Sequence, residues 1–273
     1  MDILGTINDA IWTPMAYFAL AVGLVFTLVT KAVQFRRIPD MLREITARPL
    51  EDDGVSPLQA LLLTLASRVG VGNIAGVGTA VYAGGPGAIF WMVVVALLGS
   101  ASSFAETVLA QVFKRRIDGE HRGGAPFYVE HGLKLRWLAV LLAIGYVVGY
   151  GFIFSGVQSN NIANSMDVAF GMPAWLTAVL LTGLFAVTIV GGTKRIIGVA
   201  QLAVPIMAIG YILCTAAIIL ANLDQVLPTI QLVLASAFGR DAVFGGMAGA
   251  AIAWGVRRAV FSNVAGVGEG TFG

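Results

Sequence analysis

Seven long apolar runs decide what this chain can fold into. They lie at residues 11–33, 58–82, 88–113, 137–163, 173–190, 196–221 and 242–264. A helix needs roughly 20 mainly apolar residues to cross the hydrocarbon core of a bilayer, and most of these runs reach or approach that length. In lipid the backbone amides and carbonyls must be satisfied within the protein, which points such runs to helix. Only 12% of the 273 residues are charged and 58% are hydrophobic, whereas soluble domains carry about 25% charge. The sequence predicts an all-α membrane protein. A net charge of +2 gives no reason to expect a nucleic-acid partner.

The first run has Asp2 and Asp9 where a cleavable leader carries basic residues, and it is too long for a leader's apolar part. It reads as a permanent leading helix. The single cysteine, Cys214, falls inside the sixth run, so no disulfide framework is expected, and it reads as a small buried core residue. His121 and His131 share a basic loop and form no metal-ligating or nucleophilic pattern with Cys214. An enzyme is not expected.

Charge placement gives an orientation. Lys31, Arg36, Arg37, Arg43 and Arg48 follow the first run; Lys114, Arg115, Arg116, Arg122, Lys134 and Arg136 follow the third; Lys194 and Arg195 follow the fifth. The intervening loops hold only Arg240. By the positive-inside rule the basic loops are cytoplasmic and the amino terminus is outside. Arg68, Arg257 and Arg258 fall within runs, where an arginine either faces the bundle interior or reaches along its stem to the headgroups. Glu106, near the cytoplasmic end of the third run, reads as structural.

Two runs carry matching glycine-rich segments. The second contains Arg68-Val-Gly-Val-Gly-Asn-Ile-Ala-Gly-Val-Gly78, and the seventh with the residues after it reads Arg258-Ala-Val-Phe-Ser-Asn-Val-Ala-Gly-Val-Gly268. Aligning Asn73 with Asn263 gives Asn-(Ile/Val)-Ala-Gly-Val-Gly twice, with an arginine five residues upstream each time. Each glycine weakens a helix by up to about 1 kcal/mol relative to alanine, so both runs are expected to unwind here. The copies lie five runs apart and so cross the membrane in opposite directions. Interrupted helices at corresponding places in inverted halves mark a transporter's binding site. Freed carbonyls there suit a cation, and half-helix amino termini suit a carboxylate. Close packing of small residues is the competing explanation, but packing needs neither the asparagine nor the repeated register.

The fourth run ends Ser155-Gly-Val-Gln-Ser-Asn-Asn-Ile-Ala-Asn164. Gln158 and Asn161 share a helical face; Gln158 either meets a solute or ties helices together, while Asn160, Asn161 and Asn164 read as structural. Ser56-Pro57 starts a helix, 84–87 is a tight external turn, 115–136 is a cytoplasmic connection, 226–238 is an interfacial helix, and Pro205 is expected to kink the sixth run.

Gly72-Asn-Ile-Ala-Gly-Val77, Gly84-Gly-Pro-Gly-Ala-Ile-Phe-Trp91, Phe104-Ala-Glu106, Phe261-Ser-Asn263 and Ala265-Gly266 together resemble the alanine or glycine:cation symporter family. The resemblance runs from about Pro57 to the end of the chain. It implies the inverted-repeat amino-acid symporter fold of five plus five helices. On that fold the leading helix is 11–33, the first repeat 57–221 and the start of the second repeat 241–273. It implies sodium-coupled symport of small neutral amino acids, alanine or glycine, across the cytoplasmic membrane, with sodium the coupling ion and no other cofactor. By matching motif, Gly72, Ile74, Ala75, Gly76, Thr79, Gln158, Phe261, Ser262 and Asn263 would hold the solute, with Phe261 a gate, and Gly70 and Asn73 would contribute to an incomplete sodium site. Val264 stands where the family has glutamate, and Glu269 is an added carboxylate; both leave the solute and the ion open. The family fold needs about four more helices, so the chain reads as the front part of a longer protein, unable to transport by itself. Another solute, proton coupling, or a membrane partner that does not transport are the alternatives.

Overall fold

The computed structural model describes residues 3–45, 56–68, 70–117, 120–239, 248–264, 266 and 268. The described chain is nearly all helix. α1 (Ile3–Val29) leads into the short α2 (Val33–Arg36) and α3 (Ile38–Glu44), followed by α4 (Pro57–Arg68), α5 (Val71–Gly84) and α6 (Ala88–Val112). After a small hairpin come α7 (Ala125–Gly132), α8 (Arg136–Val148), a π-helical turn (Gly149–Phe154) and α9 (Ser155–Phe170). α10 (Ala174–Val190), α11 (Gly192–Ala221), α12 (Leu223–Ala237) and α13 (Ala248–Asn263) complete it. Four stretches among the described residues are long and apolar enough to cross a bilayer: α1, α6, α8 through α9, and α11. α10 and α12 are shorter apolar helices. Residues 240–247, which begin the seventh run, lie outside the described set.

The second run is two half-helices. α4 has 12 residues and α5 has 14, about 18 and 21 Å at 1.5 Å per residue, so neither crosses the core alone. Ser56 starts α4 as expected: its Oγ accepts the Gln59 N–H at 3.2 Å while Gln59 Oε1 accepts the Ser56 N–H at 2.9 Å. This reciprocal pair is a capping box.

Small residues build the core. Ala16, Ala80, Ala88, Met92, Val95, Val256, Ala259 and Val260 form one buried cluster drawn from α1, α5, α6 and α13. Lipid supplies no hydrophobic drive between helices, so close backbone approach takes its place. A Cβ on Gly84 would lie 2.8 Å from Trp254 Cβ, and one on Gly255 would lie 2.7 Å from the Ala88 carbonyl oxygen. α12 docks on the start of α6: Ser236 Oγ accepts the Gly87 N–H at 3.0 Å and Trp91 Nε1 donates to the Ala237 carbonyl at 3.3 Å.

Several expectations change. The connection 115–136 is not all loop: an antiparallel pair, β1 (Arg115–Ile117) with β2 (Glu120–Arg122), precedes α7, and it sets the two basic arms side by side. Cys214 is exposed rather than buried, since α11 runs along the rim against α4, α10 and α12. The leading helix covers residues 3–29, and the chain then turns through left-handed Lys31 and Ala32, both at φ 53°.

Candidate functional site between two helix ends

The interruption of the second run falls at Gly70, which is extended, and α5 starts at Val71. Asn73 bridges it: its side-chain Nδ2 donates to the Arg68 carbonyl at the end of α4, and its own N–H donates to the Gly70 carbonyl at 3.0 Å. The freed Arg68 carbonyl thus has a partner, as irregular backbone at membrane depth requires. Gly72 and Gly76 lie inside α5, on its buried stripe with Ala80 and Gly84, so only the first glycine of the segment unwinds the helix.

α13 ends where its motif predicts. Asn263 is its last residue, Val264 follows at φ 50°, and Gly266 and Gly268 take φ 85° and 81°. Left-handed backbone comes easily to glycine and is uncommon for β-branched valine, so the chain leaves the helix sharply at this end. The two helices pack antiparallel, with Gly72 at the start of α5 against Phe261 and Ser262 at the end of α13, and Gly84 at the end of α5 against Trp254.

These elements converge on a few side chains. The buried Ser262 donates its hydroxyl hydrogen to Asn73 Oδ1. A Cβ on Gly72 would come 3.1 Å from the Phe261 ring. Phe261 stacks on Phe154, centroids 5.2 Å apart and planes at 24°. One turn beyond Phe154, Gln158 Oε1 accepts the Val71 N–H at 3.3 Å, so the amide seats itself on the amino terminus of α5, where the helix dipole favours an acceptor. Phe154 was missed in the sequence, although its spacing of four from Gln158 puts both on one face. It closes the π-helical turn, a feature frequent at functional sites.

The structure brings together Gly70, Gly72, Asn73, Gln158, Phe261 and Ser262. Asn263 sits half-buried at the end of α13, and Gly76 is buried within α5. Ile74 and Ala75 are exposed on the other side of α5, and Thr79 bonds its own helix at the Ala75 carbonyl, 2.7 Å away. Asn161 likewise bonds its own helix, to the Val157 carbonyl at 2.9 Å. Among the intramembrane cations, Arg68 turns inward, its Nη2 donating to the buried Ser103 Oγ at 2.9 Å. Arg257 and Arg258 place their guanidinium carbons 5.8 and 5.5 Å from the Trp254 centroid, within cation–π range. No group of three or more His, Cys, Asp or Glu able to hold a metal occurs among the described residues.

Apolar helices long enough to cross a bilayer, packed around a small-residue core, fit a multi-pass membrane protein. The comparisons make the family explicit. The family model described as the sodium:alanine symporter family matches residues 1–272, and the chain belongs to that family. It is 44% identical to YrbD of Bacillus subtilis over 270 residues, covering 98% of this chain and 56% of that protein. It is 39% identical over 270 residues to the "Probable sodium/glutamine symporter GlnT" of the same organism, covering 98% and 56%. Against the "Sodium/alanine symporter AgcS" of Methanococcus maripaludis it is 36% identical over 278 residues, covering 98% and 61%. The chain therefore spans less than two thirds of the length of these relatives.

Proposed function

We propose that this chain supplies one part of a sodium-coupled symporter for small neutral amino acids, alanine or glycine first among them. The protein it serves sits in the cytoplasmic membrane with its amino terminus outside. The observation that carries the reading is the antiparallel meeting of two helix ends at Gly72, Asn73, Phe261 and Ser262. A solute carboxylate fits the amino terminus of α5, where Gln158 Oε1 now takes the Val71 N–H. A charged acceptor there makes a stronger hydrogen bond than a neutral amide. The carboxyl end of α13 carries the opposite partial charge and suits the solute ammonium. Space beside Gly72 is filled by the Phe261 ring, which favours a solute with a small side chain.

Sodium prefers oxygen donors. Carbonyls at Arg68 and Gly70 and Asn73 Oδ1 supply some of them, all engaged by hydrogen bonds here. On this reading the inverted five-plus-five repeat places 57–221 in the first half and 241–273 at the start of the second. The remaining oxygens come from outside these segments.

The test is equilibrium binding of labelled alanine, with and without sodium, to the chain restored to full symporter length in lipid nanodiscs, followed by uptake into proteoliposomes. Sodium-dependent binding lost in Asn73→Ala and Asn263→Ala supports the reading. Alanine and glycine binding that is absent, or indifferent to sodium and to both substitutions, sinks it.

A further inference from the structure

The carboxylate of Glu106 lies in α6, two turns before its cytoplasmic end, and no part of the solute site described above uses it. The backbone amides of Gly266 and Gly268 hydrogen-bond to it, and Arg68 lies within electrostatic reach. Its Oε2 is buried and meets no hydrogen-bond partner among the described residues. Arg68 also donates to Ser103, one turn before Glu106 on α6. One carboxylate therefore faces the end of α4, which is the first interruption, and the left-handed glycines after α13, which are the second.

We propose that Glu106 is the positioning residue that holds the second interruption unwound and ties it to the first through Arg68. The chemistry is specific. Two amides presented by left-handed backbone form an anion-binding concavity, and a charged acceptor holds them about twice as strongly as a neutral amide oxygen. A carboxylate buried among helices needs a cation beside it, and Arg68 provides that charge from the opposite interruption. The latch also reaches the cytoplasmic connection. A Cβ on Gly268 would lie 3.3 Å from Ala125 Cβ and would overlap the Tyr146 hydroxyl. On α7, burial pushes the Tyr128 phenol above its ordinary range, and the Glu106 charge adds to the effect. Arg68, Tyr128 and the two glycine amides thus surround one carboxylate, and α7 moves away from the bundle only by exposing it.

The experiment is amide hydrogen exchange of residues 264–268 in the chain restored to full symporter length, in lipid nanodiscs, with peptides from α1 as the reference for the fold. Glu106→Gln and Glu106→Ala are expected to speed exchange at 264–268 at least tenfold while α1 is unchanged. Glu106→Asp keeps the charge but withdraws it by one methylene, and recovers less than half of the lost protection. Arg68→Gln, which touches neither glycine, also speeds exchange there, by a smaller factor. Unchanged exchange in Glu106→Gln overturns the latch, as do wild-type amides that exchange like an unstructured peptide. Unchanged exchange in Arg68→Gln overturns the tie between the interruptions. If the Glu106 variants lose α1 protection and so fail to fold, the Arg68→Gln result decides. Alanine binding on the same samples is independent: its failure in wild type with the exchange pattern intact sinks the solute reading and leaves the latch standing.

Discussion

Ser262 at the end of α13 donates its hydroxyl hydrogen to Oδ1 of Asn73, three residues into α5. Residues 189 positions apart in the chain are thereby joined across two antiparallel helix ends. Asn73 is fully committed, since its Nδ2 is held by the Arg68 carbonyl. Ser262→Ala should cost about 1 kcal/mol, the net worth of one neutral hydrogen bond. Asn73→Ala should cost more, about 1–3 kcal/mol, because it also leaves the Arg68 carbonyl unsatisfied. The double variant should show coupling of about 0.5–3 kcal/mol. Thermal unfolding in detergent measures all three, and additive losses would mean that the bond does not join the two helices.

The interrupted helix was legible in the sequence because two copies of Asn-x-Ala-Gly-Val-Gly stood in opposite-facing runs. Where the chain unwinds was less legible. Gly72, Gly76 and Gly78 carry the same intrinsic helix penalty as Gly70, yet they remain helical because Gly72 and Gly76 lie on the stripe packed against α13. Helix propensity is a weak prior that such packing overrides. The partners of Arg68, Glu106 and Phe154 could not be read, since each meets residues from a distant run.

Glycines inside and beside helices divide by what a methyl group would meet. A Cβ on Gly78 would have nothing within 4 Å, whereas one on Gly87 would fall 2.5 Å from the Ala237 backbone nitrogen. Gly78→Ala should therefore stabilise the chain by up to about 1 kcal/mol through helix propensity. Gly87→Ala must displace α12 from α6 and should cost about 1–3 kcal/mol or more. Gly72→Ala falls between, because its Cβ would press on the Phe261 ring edge at 3.1 Å and the Ser262 Cα at 3.2 Å, both tight but short of overlap. Paired melting curves decide, and equal effects at 78 and 87 would refute the packing argument.

Orientation is open to direct labelling. The hairpin residue His121 is exposed and lies in the basic connection that the positive-inside rule assigns to the cytoplasm. In a Cys214→Ser background, His121→Cys should resist a membrane-impermeant maleimide in intact cells and react after the cytoplasmic face is opened. Labelling in intact cells would invert the topology and place the amino terminus inside.

Gln158 offers the sharpest separation of fold from function. Its Oε1 occupies the amino terminus of α5, 3.3 Å from the Val71 nitrogen, which is where a solute carboxylate is proposed to bind. Gln158→Glu places a permanent anion at that helix end, a change that adds about 0.3–2 kcal/mol of favourable dipole interaction. The solute-free variant should therefore melt no lower than wild type. The same anion repels the incoming carboxylate, so alanine affinity should fall at least tenfold. Gln158→Ala should do the reverse, lowering stability by leaving the Val71 amide without its acceptor while changing affinity less. Calorimetric binding beside thermal unfolding gives both numbers. If Gln158→Glu binds alanine as wild type does, the carboxylate of the solute does not sit at the start of α5, and the amide serves only to join α9 to the first interruption.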